Sequence, residues 1–256
     1  MANVVISDSH LENIATAIRY KLDSEATYKP REMAAAIRAI PTATTIIQGD
    51  VNAFIDKSIK GSVSLSCETI GEFAFYNMNN ITSISSNTVY TVKEDGINNC
   101  SALASLNLQN ATLLERKAIN NCFLLESINL PSLREINNLS IANATVKTLE
   151  FQVLNIIRSG AFFYLPELTK VDLGSEIETI ECEVFVSCDK LTTIIMRCSA
   201  PSFYDVDGPF PENFRTDYTG DSQGYVYVPA AHINDYQSKK YWNLYNYRAI
   251  EDYPGI

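Results

Sequence analysis

The residues able to do chemistry are few and widely spaced. The 256-residue sequence holds two histidines, His10 and His232, one near each end, so neither has a second imidazole close by with which to share a metal or a proton. Its six cysteines are Cys67, Cys100, Cys122, Cys182, Cys188 and Cys198. None is part of a Cys-x-x-Cys pair and none has a histidine nearby, the spacings that bring protein ligands to one zinc ion. A Gly-x-Ser-x-Gly elbow, a His-Glu-x-x-His helix and a glycine-rich phosphate loop are all absent from the sequence. What remains is carboxylate, and Glu150 and Asp172 are the pair to name. Two acids hydrolyse a glycoside only when they flank the scissile bond in a pocket. Without one they are a solvated row on a sheet, so no enzymatic activity, cofactor or metal is expected.

Glu150 and Asp172 are 22 residues apart because the sequence itself repeats at that interval. Apolar residues open each unit at Ile70, Val92, Leu114, Ile136, Ile157 and Ile180, and a second apolar position follows five residues later, at Phe75, Ile97, Ile119, Ile141, Phe162 and Phe185. An L-x-x-L-x-L run then continues in phase, through Leu103, Leu106 and Leu108, for example, or Leu168, Val171 and Leu173. A leucine-type unit of this length builds a solenoid in which each coil contributes a short parallel strand and buries its apolar side only against neighbours. Two irregularities stand out. One residue is missing between Ala144 and Val146, and Ser86 places a hydroxyl in an apolar column. Cys100, Cys122 and Cys188 share a column with Met78, Ala144 and Leu165, so their thiols are expected to pack as small hydrophobes.

Side chains alternate across a pleat, so the residues flanking the middle apolar position of each strand point outward. They form two columns, Ser83, Ser105, Ser127, Thr148, Lys170, Thr193 and Ser85, Asn107, Asn129, Glu150, Asp172, Ile195. Short polar side chains of this kind suit hydrogen bonding to carbohydrate or peptide. The candidate binding surface is Ser105, Asn107, Ser127, Asn129, Thr148, Glu150, Lys170 and Asp172.

The repeats carry a closer likeness. The usual leucine-rich repeat places Asn or Cys at a slot that here holds Ala111, Leu133, Leu154, Glu176 and Ser199, so the asparagine ladder of that family is not expected. The stretches AINNCFLLESINLPSL (118–133), AFFYLPELTKVDL (161–173) and EVFVSCDKLTTIIM (183–196) instead resemble the AF-x-x-C-x-x-L-x-x-I-x-L-P unit of BspA-like repeats, found in bacterial surface proteins and in phage-encoded proteins. The likeness covers roughly residues 47–200. It implies an α+β repeat fold: a leucine-rich-repeat solenoid with short parallel strands over residues 46–200, an N-terminal helical hairpin over 1–45 and a C-terminal cap over 201–256.

The two ends differ from the coils. Ser9 to Glu12 has capping-box spacing, and Leu11, Ile14, Ala15, Ile18 and Leu22 follow on one helical face. Pro30 sits where a second helix begins, Met33, Ala36, Ile37 and Ile40 recur at three and four, and Pro41 ends it. Two short helices bury too little surface to stand alone, so the hairpin is a candidate attachment or oligomerisation element with Ile14, Ile18, Leu22, Tyr28, Met33, Ile37 and Ile40 at its anchored positions. NIATAIRYKLDSEATYKPREMAAAIRAI (13–40) is similar to a segment near the N-terminus of tail-associated proteins of phages infecting Gram-positive bacteria. At the other end GYVYVP (224–229), followed by a stretch with the sole tryptophan, Trp242, and many tyrosines, resembles the terminus of BspA-like phage proteins and is expected to cover the last coil.

Net charge is −10, which disfavours phosphate backbones and anionic membranes. No apolar run is long enough to insert in a membrane, and MANVVISDSHLENI lacks the basic start and apolar stretch of a secretory leader. Neither nucleic acid nor membrane insertion is expected. The implied function is a non-enzymatic structural or receptor-binding protein of a phage tail or baseplate, localised to the virion. Its expected partners are other tail or baseplate proteins, copies of itself, and host surface carbohydrate or protein. The alternative is a bacterial cell-surface adhesin or interaction module of the BspA type, at the cell surface or extracellular.

Overall fold

A computed structural model describes residues 60–202, 208–221 and 223–254, together with the two-residue strands Val4–Val5 and Ile46–Ile47, which pair antiparallel. The hairpin expected at residues 13–40, with Ile14, Ile18, Leu22, Tyr28, Met33, Ile37 and Ile40, lies outside the described residues.

The repeat appears in space as parallel ladders. The first apolar position of each unit forms one six-stranded sheet, with Ile70, Val92, Leu114, Ile136, Ile157 and Ile180 in direct register. The second forms a five-stranded sheet in which Ile97, Ile119, Ile141, Phe162 and Phe185 stack. All point inward. In one coil Val92, Ile97, Cys100, Leu103, Leu106, Leu108 and Ala111 are each no more than 1% exposed. That burial is supplied by the coils on either side, without which the apolar side of the coil would face water. A coil therefore persists only when stacked. Among the described residues the one α-helix is the six-residue Ile233–Ser238 in the cap, so the described solenoid is built of strands and turns and the α+β expectation is not met there.

Each coil turns two corners with left-handed backbone. One corner falls at Phe73, Asp95, Lys117, Leu139, Gly160 and Glu183, the other at Asn77, Asn99, Asn121, Asn143, Tyr164 and Ser187. Asparagine tolerates this conformation better than most residues. Three of these asparagines also extend amides to the preceding coil: Asn99 donates to Asn77, Asn121 to Asn98 at 3.2 Å and Asn143 to Asn120 at 2.9 Å. Asparagine amides thus bridge successive coils after all, at a place other than the familiar slot and between two adjacent columns. Next to it, the thiols of Cys100, Cys122 and Cys188 are buried and lie within hydrogen-bonding reach of the carbonyls of Phe75, Ile97 and Phe162 in the preceding coil. Ser86 is also buried, its hydroxyl donating to Leu65 O at 2.9 Å and accepting Val89 N–H at 3.1 Å, so the polar intruder is fully partnered.

The third strand of each coil carries the outward-facing columns, and here the solenoid is interrupted. One sheet joins Gly61–Leu65, Ile81–Ser86, Ser105–Leu108 and Ser127–Asn129; another begins at Thr148–Glu150 and continues through Lys170–Asp172 and Thr193–Ile195 to the cap strands Tyr225–Val228 and Tyr247–Ala249. Between them falls the missing residue. Elsewhere in this column Glu126 N donates to Ala104 O and Thr169 N to Lys147 O; across the gap, Thr145 N donates to Leu125 O instead. Ile128 is left only partly buried, whereas its equivalents Leu106 and Leu149 are 1% exposed.

The chain beyond the last coil packs as aromatic cover. Gly208 O and Pro209 O accept from Glu183 N and Val184 N, prolonging the second ladder. Phe210 then packs against Phe185, Phe214, Trp242 and Tyr245. Trp242 is 1% exposed, donates its indole N–H to Pro201 O at 3.1 Å and meets Tyr236 edge-to-face.

Candidate functional site

The predicted surface divides at the interruption. On its near side Ser105 pairs with Ser127 and Asn107 with Asn129 in register. Asn129 donates to Asn107 at 2.9 Å, and Asn107 also accepts from Gln109 at 2.5 Å. On its far side Thr148 pairs with Lys170 and Glu150 with Asp172. Lys170 Nζ lies 3.5 Å from Glu150 and 5.3 Å from the ring centroid of Tyr253, which meets Tyr227 edge-to-face. The two halves belong to separate sheets, so the eight residues are not one continuous array.

The pair of acids is also unlike its expected form. Glu150 is exposed, but Asp172 is buried rather than part of a solvated row. One oxygen of Asp172 accepts the Gly174 N–H at 3.1 Å and the guanidinium of Arg197. Ile195, the next member of the column, is fully buried. The outward column is therefore open only as far as Glu150.

At the interruption the surface is concave. A cleft of about 340 Å³ opens there, lined by Asn129 and Pro131 on one side and by Glu150, Gln152, Asp172, Gly174 and Arg197 among the residues of the other. Gly174 shapes its floor. Its φ is +76°, and a Cβ placed on it would meet Phe151 O at 2.7 Å and Gln152 O at 2.9 Å. The cleft coincides with two departures from the period: 21 residues separate Ile136 from Ile157 and 23 separate Ile157 from Ile180. The short interval parts the strands; the long one places Gly174 and Ser175 where other coils turn sooner. In a regular stack every column is filled by a neighbour in register, so a cavity needs such a departure.

A family model described as the BspA type leucine rich repeat region matches residues 50–162 and 112–205, with six copies. The chain belongs to the BspA-type leucine-rich repeat family. Three solved structures are similar to this BspA-type protein. The pneumococcal vaccine antigen PcpA is 16% identical, with a TM-score of 0.44 over 74% of this chain and 40% of that one. A leucine-rich repeat protein from Bacteroides ovatus is 16% identical, with a TM-score of 0.30 over 55% and 56%. A leucine rich cell surface protein from Faecalibacterium prausnitzii is 11% identical, with a TM-score of 0.28 over 82% and 94%. The chain thus spans two fifths of the pneumococcal antigen and little more than half of the Bacteroides protein. No curated protein matches its sequence.

Of the site's residues, Asn129, Glu150 and Asp172 were legible in the strand pattern, and the structure brings them to one cleft. Arg197 and Gln152 were not. They share a column with Pro131 and Gly174, three places beyond the strand's middle residue and outside the strand itself, where strict alternation no longer says which way a side chain points. The signal that could have found the cleft was the period itself, one residue short and then one residue long.

Proposed function

We propose that this BspA-type protein is a non-enzymatic recognition module of the adhesin kind, at the bacterial cell surface or extracellular, binding host surface carbohydrate or protein through its interrupted sheet face. The observation that carries the reading is the polar cleft at the interruption of the outward strand face. The family supports it, since BspA-like repeats occur in surface proteins. Asp172, already committed to Arg197 and to Gly174 N–H, is poorly placed to serve as a free acid or base, which fits binding rather than turnover. Protease treatment of intact cells that make the protein tests the location. The chain is expected to be cleaved from the outside, and full protection in intact cells with release only on lysis would overturn an adhesin.

A second reading is a structural or receptor-binding component of a phage tail or baseplate, partnered by other tail proteins or by copies of itself. It is favoured by one specific observation, the similarity of residues 13–40 to the tail-protein segment. Here purified particles are expected to contain the chain at fixed stoichiometry. Its absence from them would remove this reading and leave the first intact.

A further inference from the structure

We propose that the cleft at the interruption takes a neutral, polyhydroxylated ligand, a sugar presenting vicinal hydroxyls, gripped between Asp172, Arg197 and Glu150. The inference rests on the recognition reading above and names the ligand class of that same site.

The first ground is charge. Glu150 and Asp172 are each matched by a cation, Lys170 at 3.5 Å and Arg197 in direct contact. An acidic ligand would face two carboxylates, and a basic one would face a guanidinium and displace an existing pair. A neutral ligand meets neither penalty, because it brings no charge that would have to be desolvated without a partner.

The second ground is the arrangement of donors and acceptors. A hydroxyl both donates and accepts, so two adjacent hydroxyls are best met by an acceptor and a donor side by side. Asp172 Oδ1 is occupied by Gly174 N–H and Arg197 Nη1, which fixes the carboxylate and leaves Oδ2 without a protein partner among the described residues. The guanidinium of Arg197 uses one of its five N–H groups there and has its side chain 40% exposed. A fixed acceptor and a fixed donor thus lie together at the cleft, with the Asn129 and Gln152 amides on its walls. Protein hydrogen bonds already fix the Asp172 carboxylate and the Arg197 guanidinium, which lowers the entropy lost on binding.

The third ground is size and origin. A volume of about 340 Å³ lies at the lower end of the range for small-molecule sites. It coincides with the short interval before Ile157 and the long one after it, and Gly174, which has no side chain, forms its floor.

The test is side-chain and backbone 1H–15N correlation spectroscopy of the full chain, titrated with methyl α-D-glucopyranoside, methyl α-D-mannopyranoside and methyl β-D-galactopyranoside. N-acetylneuraminic acid serves as the charged comparison. At least one neutral glycoside is expected to shift the Arg197 Nε–H and Asn129 amide signals, with saturation. Glu150→Gln and Arg197→Lys should each weaken that binding by about tenfold, the loss of one charge-assisted hydrogen bond; Glu150 is exposed, so Glu150→Gln leaves the fold intact. Shifts produced only by N-acetylneuraminic acid, or by no sugar, would overturn the proposal, as would neutral-sugar binding indifferent to both variants. Should the sugars fail while the chain still coats target cells, only the cleft assignment falls; should the chain coat no cells and bind no sugar, the recognition reading falls with it.

Discussion

Replacing Gly174 by alanine tests whether the cleft floor is as tightly made as its geometry implies, and Gly160 supplies a matched control. Both glycines have left-handed backbone, φ +76° and +62°. Holding an L-residue there costs about 1–2 kcal/mol, partly offset by about 0.4–1 kcal/mol from a less flexible unfolded chain. That portion is common to both. The surroundings are not. A Cβ on Gly160 meets only Leu139 Cδ2 at 3.5 Å, an ordinary contact, whereas one on Gly174 meets backbone oxygens at 2.7 and 2.9 Å. Those oxygens belong to Phe151 and Gln152, whose backbone enters a ladder through Phe151 N to Asp172 O, so they cannot swing aside like a side-chain tip. Forced overpacking costs about 1–3 kcal/mol. Gly160→Ala should therefore cost about 1 kcal/mol and Gly174→Ala about 2–4 kcal/mol, measured as the shift in urea midpoint by far-ultraviolet circular dichroism at unchanged slope. Equal losses, within about 0.5 kcal/mol, would refute the claim that the carbonyls are rigid.

Three further outcomes follow from the packing. Trp242→Ala removes a buried indole that contacts Phe210 and Tyr236 and donates to Pro201, and should cost about 3–5 kcal/mol, read as a lower thermal midpoint; a change below about 1 kcal/mol would mean the cap does not hold the last coil. Burial pushes the Cys188 thiol up to about 12, so iodoacetamide at pH 8 should leave it unmodified in the folded chain and modify it in urea, as followed by peptide mass spectrometry. Burial also raises Tyr236, Tyr245 and Tyr247 above their ordinary value. Their folded forms hold protons that the unfolded chain releases near pH 10, so stability is fully present below that pH and falls as pH rises above it, by up to about 1.4 kcal/mol per unit per tyrosine. Denaturation midpoints that stay level between pH 9 and 11.5 would contradict this.

Much of the fold was visible because apolar periodicity is a direct record of which side chains face inward. Ile70 to Ile180 stack as their spacing required, and the cysteine column is buried as its exchange with Met, Ala and Leu implied. What a column rule cannot show is a local partner that reverses the rule. Asp172 is outward by alternation yet buried, because Arg197 from the next coil and Gly174 N–H neutralise and satisfy it. Ile195 is outward by alternation and fully buried, adjoining cap strand Tyr225–Val228. The asparagine column is hidden from an apolar pattern for another reason. Asn77, Asn99, Asn121 and Asn143 recur at 22 residues in plain view, but their role depends on backbone handedness, which an apolar template does not read.

The interruption between Ser127–Asn129 and Thr148–Glu150 has a mechanical side. On either side of the gap the interior coils are held by three ladders, but across it only two remain, Glu135 with Ile156 and Ile119 with Ile141. If the molecule is pulled from its two ends, as a tether between a surface and its target would be, the load passes through every coil in series, and the joint with fewest parallel hydrogen bonds yields first. Each 22-residue coil that then unravels releases about 75 Å of chain. The same missing residue that opens a cleft would thus set the force at which the tether begins to lengthen.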